Sequence, residues 1–223
     1  MSHVIVVLSG LADDPVEELD GQTPLAAAAT PALDQLAAFA EVGLLRLLPE
    51  QDDDHPAIGV DLTSLAMLGY EPVTSGRGAV ELLGAGAELG RRDVGLRLDL
   101  ISTGAGVDPF PEALTAQEAE TLWPDLERLS HPGITIRQAS AMKALALWEE
   151  GPVEVGANPP GELDPARPLD EQMPEGEQEQ AIRRLIDDAR EMLAEHPLNR
   201  RRRDEQRPTL DALWPWGFGR APE

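Results

Sequence analysis

Arg77 stands between Gly76 and Gly78 and carries a guanidinium. That planar fork matches a phosphate or carboxylate, and it equally matches one of the protein's own acids. Arg97 and Lys143, the only lysine, are further cations that could meet an anion. The densest run of metal-ligand types is Asp52, Asp53, Asp54 and His55, but consecutive residues cannot all converge on one ion, and the run reads as a solvated loop. Asp13 and Asp14 could hold a cation, although a turn that caps the next segment is the simpler reading. Arg200, Arg201, Arg202 and Arg203 could contact RNA, yet beside an acidic helix they read as an exposed, internally paired helix. Trp214 and Trp216 flank Pro215 in an apolar strand, the setting of core or interface anchors. Cysteine is absent, which excludes disulfides, thiolate zinc sites and cysteine nucleophiles.

The 223 residues suit one large domain or a domain with an insertion, burying roughly 70% of the unfolded surface. Acidic residues number 41 against 18 basic ones, and the net charge of −23 repels nucleic acid and anionic lipid. No segment has the length and apolarity of a membrane span, and the expected location is the cytoplasm.

Residues 4–8 are continuously apolar and β-branched and end in Ser9 and Gly10, which predicts a buried parallel strand delivering a loop at its carboxyl end. Thr30 and Pro31 open a helix that runs to Gly43, and a strand is predicted over 44–48. Asp61 caps a short helix that stops at Gly69, and residues 70–78, Arg77 among them, read as a loop. A helix follows over 79–83 and a strand over 93–101. Thr115 and Glu118 form a capping box for a helix to about Leu129; strands are predicted over 134–137 and 144–148. Residues 151–174 are rich in proline and glycine, a linker or long surface loop. An amphipathic helix carries Ile182, Leu185, Ile186, Ala189 and Leu193 and ends at His196 and Pro197, and a last strand over 211–216 runs into a turn at Gly217, Phe218 and Gly219.

The block VIVVLSGLADDPVEELDGQTPLAAAATPALDQLA (residues 4–37) resembles the opening of the archaeal-type, cofactor-independent phosphoglycerate mutases of the alkaline phosphatase superfamily. IGVDLTSLAMLGYEP (58–72), SGRGAVELLGAG (75–86), HPLNRRRR (196–203) and ALWPWGFGRAP (212–222) follow in the family's order. The resemblance implies the family reaction, 3-phosphoglycerate to 2-phosphoglycerate, and two divalent metals (Mn, Zn or Mg). It also implies departures from the family. Ser9 matches the family's metal-binding Asp, and a neutral hydroxyl is a poor ligand for a hard cation. Val60 matches the nucleophilic Ser and has no atom to carry a phosphoryl group. The family's further strands and helices, with most of its Asp and His ligands, are expected to be missing, so neither a metal site nor a bound cofactor is expected. By the same resemblance Arg77 falls near the active site, and Lys143 stands where an inserted-domain arginine belongs.

The expected fold class is α/β: a partial alkaline-phosphatase-like core, a parallel sheet with flanking helices over 1–100 and 196–223, with an inserted α+β lobe over 101–195. The expected function is a truncated, catalytically inactive homologue acting by binding, with Arg77, Arg97 and Lys143 as candidate contacts to phosphoglycerate. Two alternatives remain open: a mutase active only when a second chain supplies metal ligands, and a structural or regulatory subunit without ligand. A protein partner covering the incomplete core is expected under the first of these; nucleic acid and membrane are not expected partners.

Overall fold

Each predicted element needs a neighbour to bury its apolar face, and the neighbours lie in two compact units, Met1–Arg46 and Leu47–Glu223. The structure, a computed structural model, describes residues 4–8, 11–43, 67–69, 76–104, 106–129 and 131–222.

In the first unit the Thr23 hydroxyl accepts from the Ala26 N–H and caps α1 (Pro24–Ala27), and Thr30 precedes α2 (Pro31–Phe39), with proline at the start of each helix. The Asp14 N–H donates to Asp13 Oδ1 at 2.8 Å, a local bond of the kind that shapes a turn. Residues 4–8 depart from expectation. They form no strand among the described residues, and Val4 and Val6 are 83% and 74% exposed. A strand exists only through hydrogen bonds to a neighbour, and no described segment pairs with this one. Ser9, Val60, the acidic run 52–55 and the strand predicted over 44–48 lie outside the described residues.

The second unit is organised on β1 (Val94–Ile101), buried along its whole length. It continues through α3 (Arg77–Gly84, preceding β1), α4 (Ala116–Leu126), β2 (Ile134–Gln138), β3 (Lys143–Trp148), α5 (Glu179–Glu195), α6 (Pro197–Asp204) and β6 (Ala212–Gly219). Two short strands, β4 (Val155–Gly156) and β5 (Glu175–Gly176), pair apart from the main sheet. The main sheet has the order β2-β3-β1-β6, antiparallel throughout. With α4 between β1 and β2 and α5 between β3 and β6, this is the split βαβ arrangement of ferredoxin-like folds. The α/β class stands, but the sheet the described residues build is antiparallel rather than parallel. It also crosses the domain boundaries expected at 100/101 and 195/196, because β1 is hydrogen-bonded to β3 on one side and β6 on the other.

Alternation along β1 divides the sheet into two faces. Leu96 and Leu98 lie opposite Ala146 and Ala144 and join the cluster completed by Leu122 and Trp123 of α4 and Ile182, Leu185 and Ile186 of α5. Burying each such leucine or isoleucine contributes about 1.5–3 kcal/mol. The Trp123 indole N–H donates to the Ala141 carbonyl at 2.9 Å, fixing α4 to the β2–β3 turn. On the other face lie Arg97, opposite Leu145, and Asp99, opposite Lys143, and α3 packs against β1, β3 and β6 there.

The contact of α3 with the sheet is as close as backbones allow. A Cβ on Gly78 would sit 2.3 Å from the Leu96 Cα, and one on Gly95 would sit 2.4 Å from the Ala79 Cα. Gly78→Ala must therefore push α3 off the sheet, and the expected loss is about 1–3 kcal/mol, read as a lower urea midpoint. An unchanged midpoint would show that the glycine contact is not required.

The capping box predicted at Thr115 and Glu118 forms, with the Glu118 N–H donating to Thr115 Oγ1 at 3.2 Å and the Thr115 N–H to Glu118 Oε2 at 2.9 Å. Glu118, 3% exposed, also receives Arg201 at 3.0 Å and Arg207 at 3.1 Å, while Arg202 approaches at 3.5 Å. The 200–203 run is thus a helix, as expected, but Arg202 is not on its exposed face: it is fully buried and donates to the Glu112 and Pro208 carbonyls. A second correction concerns Gly217, Phe218 and Gly219, which continue β6. Gly95 pairs with Gly219 and Arg97 with Trp216, so Gly217 (φ 66°) and Phe218 form a bulge. Residues 151–174 are a tied lobe rather than a free linker: β4 and β5 pair near its ends, and Leu163 and Leu169 are buried. No helix among the described residues is long and apolar enough to cross a membrane.

Candidate functional site

A cavity of about 520 Å³ opens on the α3 side of the sheet, and Arg77, Arg97 and Lys143 all line it. Three cations taken from separate stretches of sequence therefore share one wall. Arg77 is the first residue of α3, not a loop residue, because Gly76 takes the N-cap position with extended backbone. Arg97 comes from the middle of β1 and Lys143 from the first position of β3. Trp216 of β6, Asp99, Leu100 and Met142 also line it; Pro109, Phe110 and Pro111 lie before α4, and Pro159, Pro160, Gly161 and Glu162 belong to the 151–174 lobe.

The two arginines are held by carboxylates. Glu81 Oε1 accepts from Arg77 Nε, an i,i+4 pair on α3, and from Arg97 Nη1 at 2.8 Å. Asp99 Oδ1 accepts from Arg97 Nη2 at 3.3 Å, and Asp99 Oδ2 accepts from the Trp216 indole N–H. Arg97 Nε lies 3.1 Å from Asp99 Oδ2 but lacks a well-directed hydrogen bond. Both guanidinium groups lie over the Trp216 ring, Arg97 at 5.0 Å and Arg77 at 5.4 Å from its centre. The bulge at Gly217 is what a strand uses to re-aim a side chain, here Trp216 beside it. Lys143 is exposed, and among the described residues its ammonium has no ion-pair partner.

These contacts hold both guanidinium groups in fixed positions on the cavity wall. An anion entering the cavity meets an unpaired ammonium and two pre-set guanidinium groups, in a chain whose overall charge of −23 repels anions elsewhere. A second cavity of about 520 Å³ lies near Ser102, Asp108, Arg203 and Arg207. Its Arg207 is taken by Glu112, Glu118 and Glu205, and Arg203 donates to the Ala194 carbonyl, so it is the poorer anion site.

Sequence reasoning grouped the three cations as candidate contacts to one ligand but gave no sign of the wall that brings them together. It passed over Asp99, Glu81 and Phe110 and read Trp216 only as an anchor. Two signals were present: Arg97 and Asp99 are two apart on a strand, and Arg77 and Glu81 are four apart on a helix. Among the described residues no three His, Cys, Asp or Glu side chains are grouped to hold a metal ion.

Comparison with known proteins supplies a context for this geometry. The family model for 2,3-bisphosphoglycerate-independent phosphoglycerate mutase matches residues 37–199. The protein of that name from Methanosarcina mazei is 32% identical over 234 residues, which cover 100% of this chain and 56% of the relative. The one from Pyrococcus furiosus is 32% identical over 229 residues, covering 98% and 55%. A solved structure of a Pyrococcus horikoshii protein matches with a TM-score of 0.64 at 26% identity, covering 96% of this chain and 50% of that one. The chain spans a little over half the length of the curated relatives it matches.

Proposed function

Because the chain belongs to the 2,3-bisphosphoglycerate-independent phosphoglycerate mutase family, we propose that its cationic cavity binds a phosphoglycerate without isomerising it. The observation that carries the reading is the convergence of Arg77, Arg97 and Lys143 on one cavity wall. Phosphate and carboxylate, the two anionic ends of such a ligand, both suit arginine's fork, and a lysine ammonium adds a point charge to either.

Turnover is a different requirement. Moving a phosphoryl group between hydroxyls through a covalent intermediate needs an oxygen nucleophile, and the position matching the family's serine is Val60. The carboxylate that would help gather divalent ions is replaced by Ser9. The proposed activity is therefore binding, with no resident metal.

Titration calorimetry with 3-phosphoglycerate tests the first half: a saturable signal with Kd roughly in the micromolar to millimolar range is expected, and none at millimolar ligand favours a structural or regulatory subunit without ligand. A mutase assay supplemented with Mn²⁺, Zn²⁺ or Mg²⁺ tests the second, where ordinary turnover would refute the reading.

A second reading is favoured by the exposed apolar run 4–8, whose β-branched residues suit pairing with a partner's strand. In that reading a second polypeptide packs on this run and supplies metal ligands. Mixing the chain with the portion of the Methanosarcina mazei relative that it does not match should then yield mutase turnover; Val60 argues that it will not.

A further inference from the structure

We infer that the cavity prefers phosphate monoesters of aromatic character, the class of aryl phosphates and nucleoside monophosphates, over phosphate monoesters of small polyols; this rests on the anion-binding reading above. Size is the first reason. Even at the ~30 Å³ that liquid water allots to each heavy atom, the roughly eleven heavy atoms of a phosphoglycerate fill about 330 Å³. The cavity holds about 520 Å³, so a substantial part of it remains for another group.

The chemistry of the remaining wall says what that group is. Pro109, Pro111, Pro159 and Pro160 have no backbone N–H to offer. The Phe110 N–H is already given to Asp108 Oδ1 at 2.9 Å, and the Glu162 N–H to the Pro159 carbonyl at 2.9 Å. A second carboxylate placed here would find few donors beyond the Gly161 N–H and would face the Glu162 carboxylate, and a polyol would find few partners beyond these two groups, so most of their polar atoms would lose water without replacement. An apolar ring loses nothing. Phe110 is 79% exposed, and its flanking prolines restrict the backbone that presents it. Gly161 faces its ring edge, where a Cβ would stand 3.3 Å away. Phe110 therefore offers an uncovered aromatic surface in a cavity that also carries three cations. A ligand with an aromatic ring beside a phosphate satisfies both at once.

Titration calorimetry with phenyl phosphate and glycerol 3-phosphate tests this, because the two probes share the phosphate monoester and differ in the group attached. Phenyl phosphate should bind about 10-fold more tightly, and Phe110→Ala, at an exposed position, should remove that advantage. Lys143→Ala should weaken both esters. Equal affinities, or an advantage that survives Phe110→Ala, would overturn the aromatic preference and leave phosphoglycerate binding intact. If neither ester nor 3-phosphoglycerate binds, both readings fall.

Discussion

Arg97→Met should weaken 3-phosphoglycerate binding by about 10- to 100-fold, the loss expected when one charge-assisted contact to an anion is removed. Methionine keeps much of the volume and removes the charge, and Arg97 is 4% exposed, so the change empties no large space. It does strip Asp99 of its cation and leaves the Trp216 indole N–H as a remaining donor. A stability loss of about 1–3 kcal/mol should therefore accompany the binding defect. Arg97→Lys separates the two effects: charge is retained and the fork is lost, and affinity should fall between wild type and the methionine variant. Calorimetry on all three proteins reads the order directly. Undiminished affinity in the methionine variant would remove Arg97 from the site.

The largest stability effect is expected at Arg202. This side chain is fully buried, and its donors reach the Glu112 carbonyl at 3.1 Å, the Pro208 carbonyl at 3.0 Å and Glu118 at 3.5 Å. Arg202→Met leaves those carbonyls and the buried carboxylate short of a partner, and the expected cost is about 3–5 kcal/mol in urea unfolding. The same network makes stability sensitive to acid. Burial raises the Glu118 pKa, but the Thr115 backbone N–H and the guanidinium groups of Arg201, Arg207 and Arg202 outweigh it, and the carboxyl is held at about 2 against an ordinary 4.5. A carboxyl whose folded pKa lies below its unfolded one contributes fully above about pH 4.5, and that contribution is lost as the pH falls toward 2. Glu118→Gln should flatten the stability profile across that window; an unaltered slope would show that other carboxylates set it.

Local signals carried most of the fold. Thr115 and Glu118 announce a helix start because both hydrogen bonds of a capping box form within one turn. The spacing of Ile182, Leu185, Ile186, Ala189 and Leu193 defines the buried face of α5 for the same local reason. What sequence did not reveal depends on distant contacts. Residues 4–8 have the composition of a buried strand but no strand neighbour among the described residues. Gly217 looks like a turn because its positive φ suits one, yet the same conformation serves a bulge once β1 lies alongside. Arg202 resembles its exposed neighbours in sequence, and only the crossing of α6 over the start of α4 buries it. The candidate site follows the same rule: the cations were visible as candidates, whereas the wall on which they meet depends on the glycine contact between α3 and β1 and on the antiparallel pairing of β1 with β3 and β6.

One experiment reads binding and chemistry together: phosphorus NMR of 3-phosphoglycerate titrated with the chain in the presence of Mg²⁺. The 3-phosphoglycerate resonance should shift or broaden saturably, and no 2-phosphoglycerate resonance should grow in with time. A spectrum indifferent to the protein, or one in which the 2-phosphoglycerate signal accumulates, would contradict a cavity that holds this ligand without converting it.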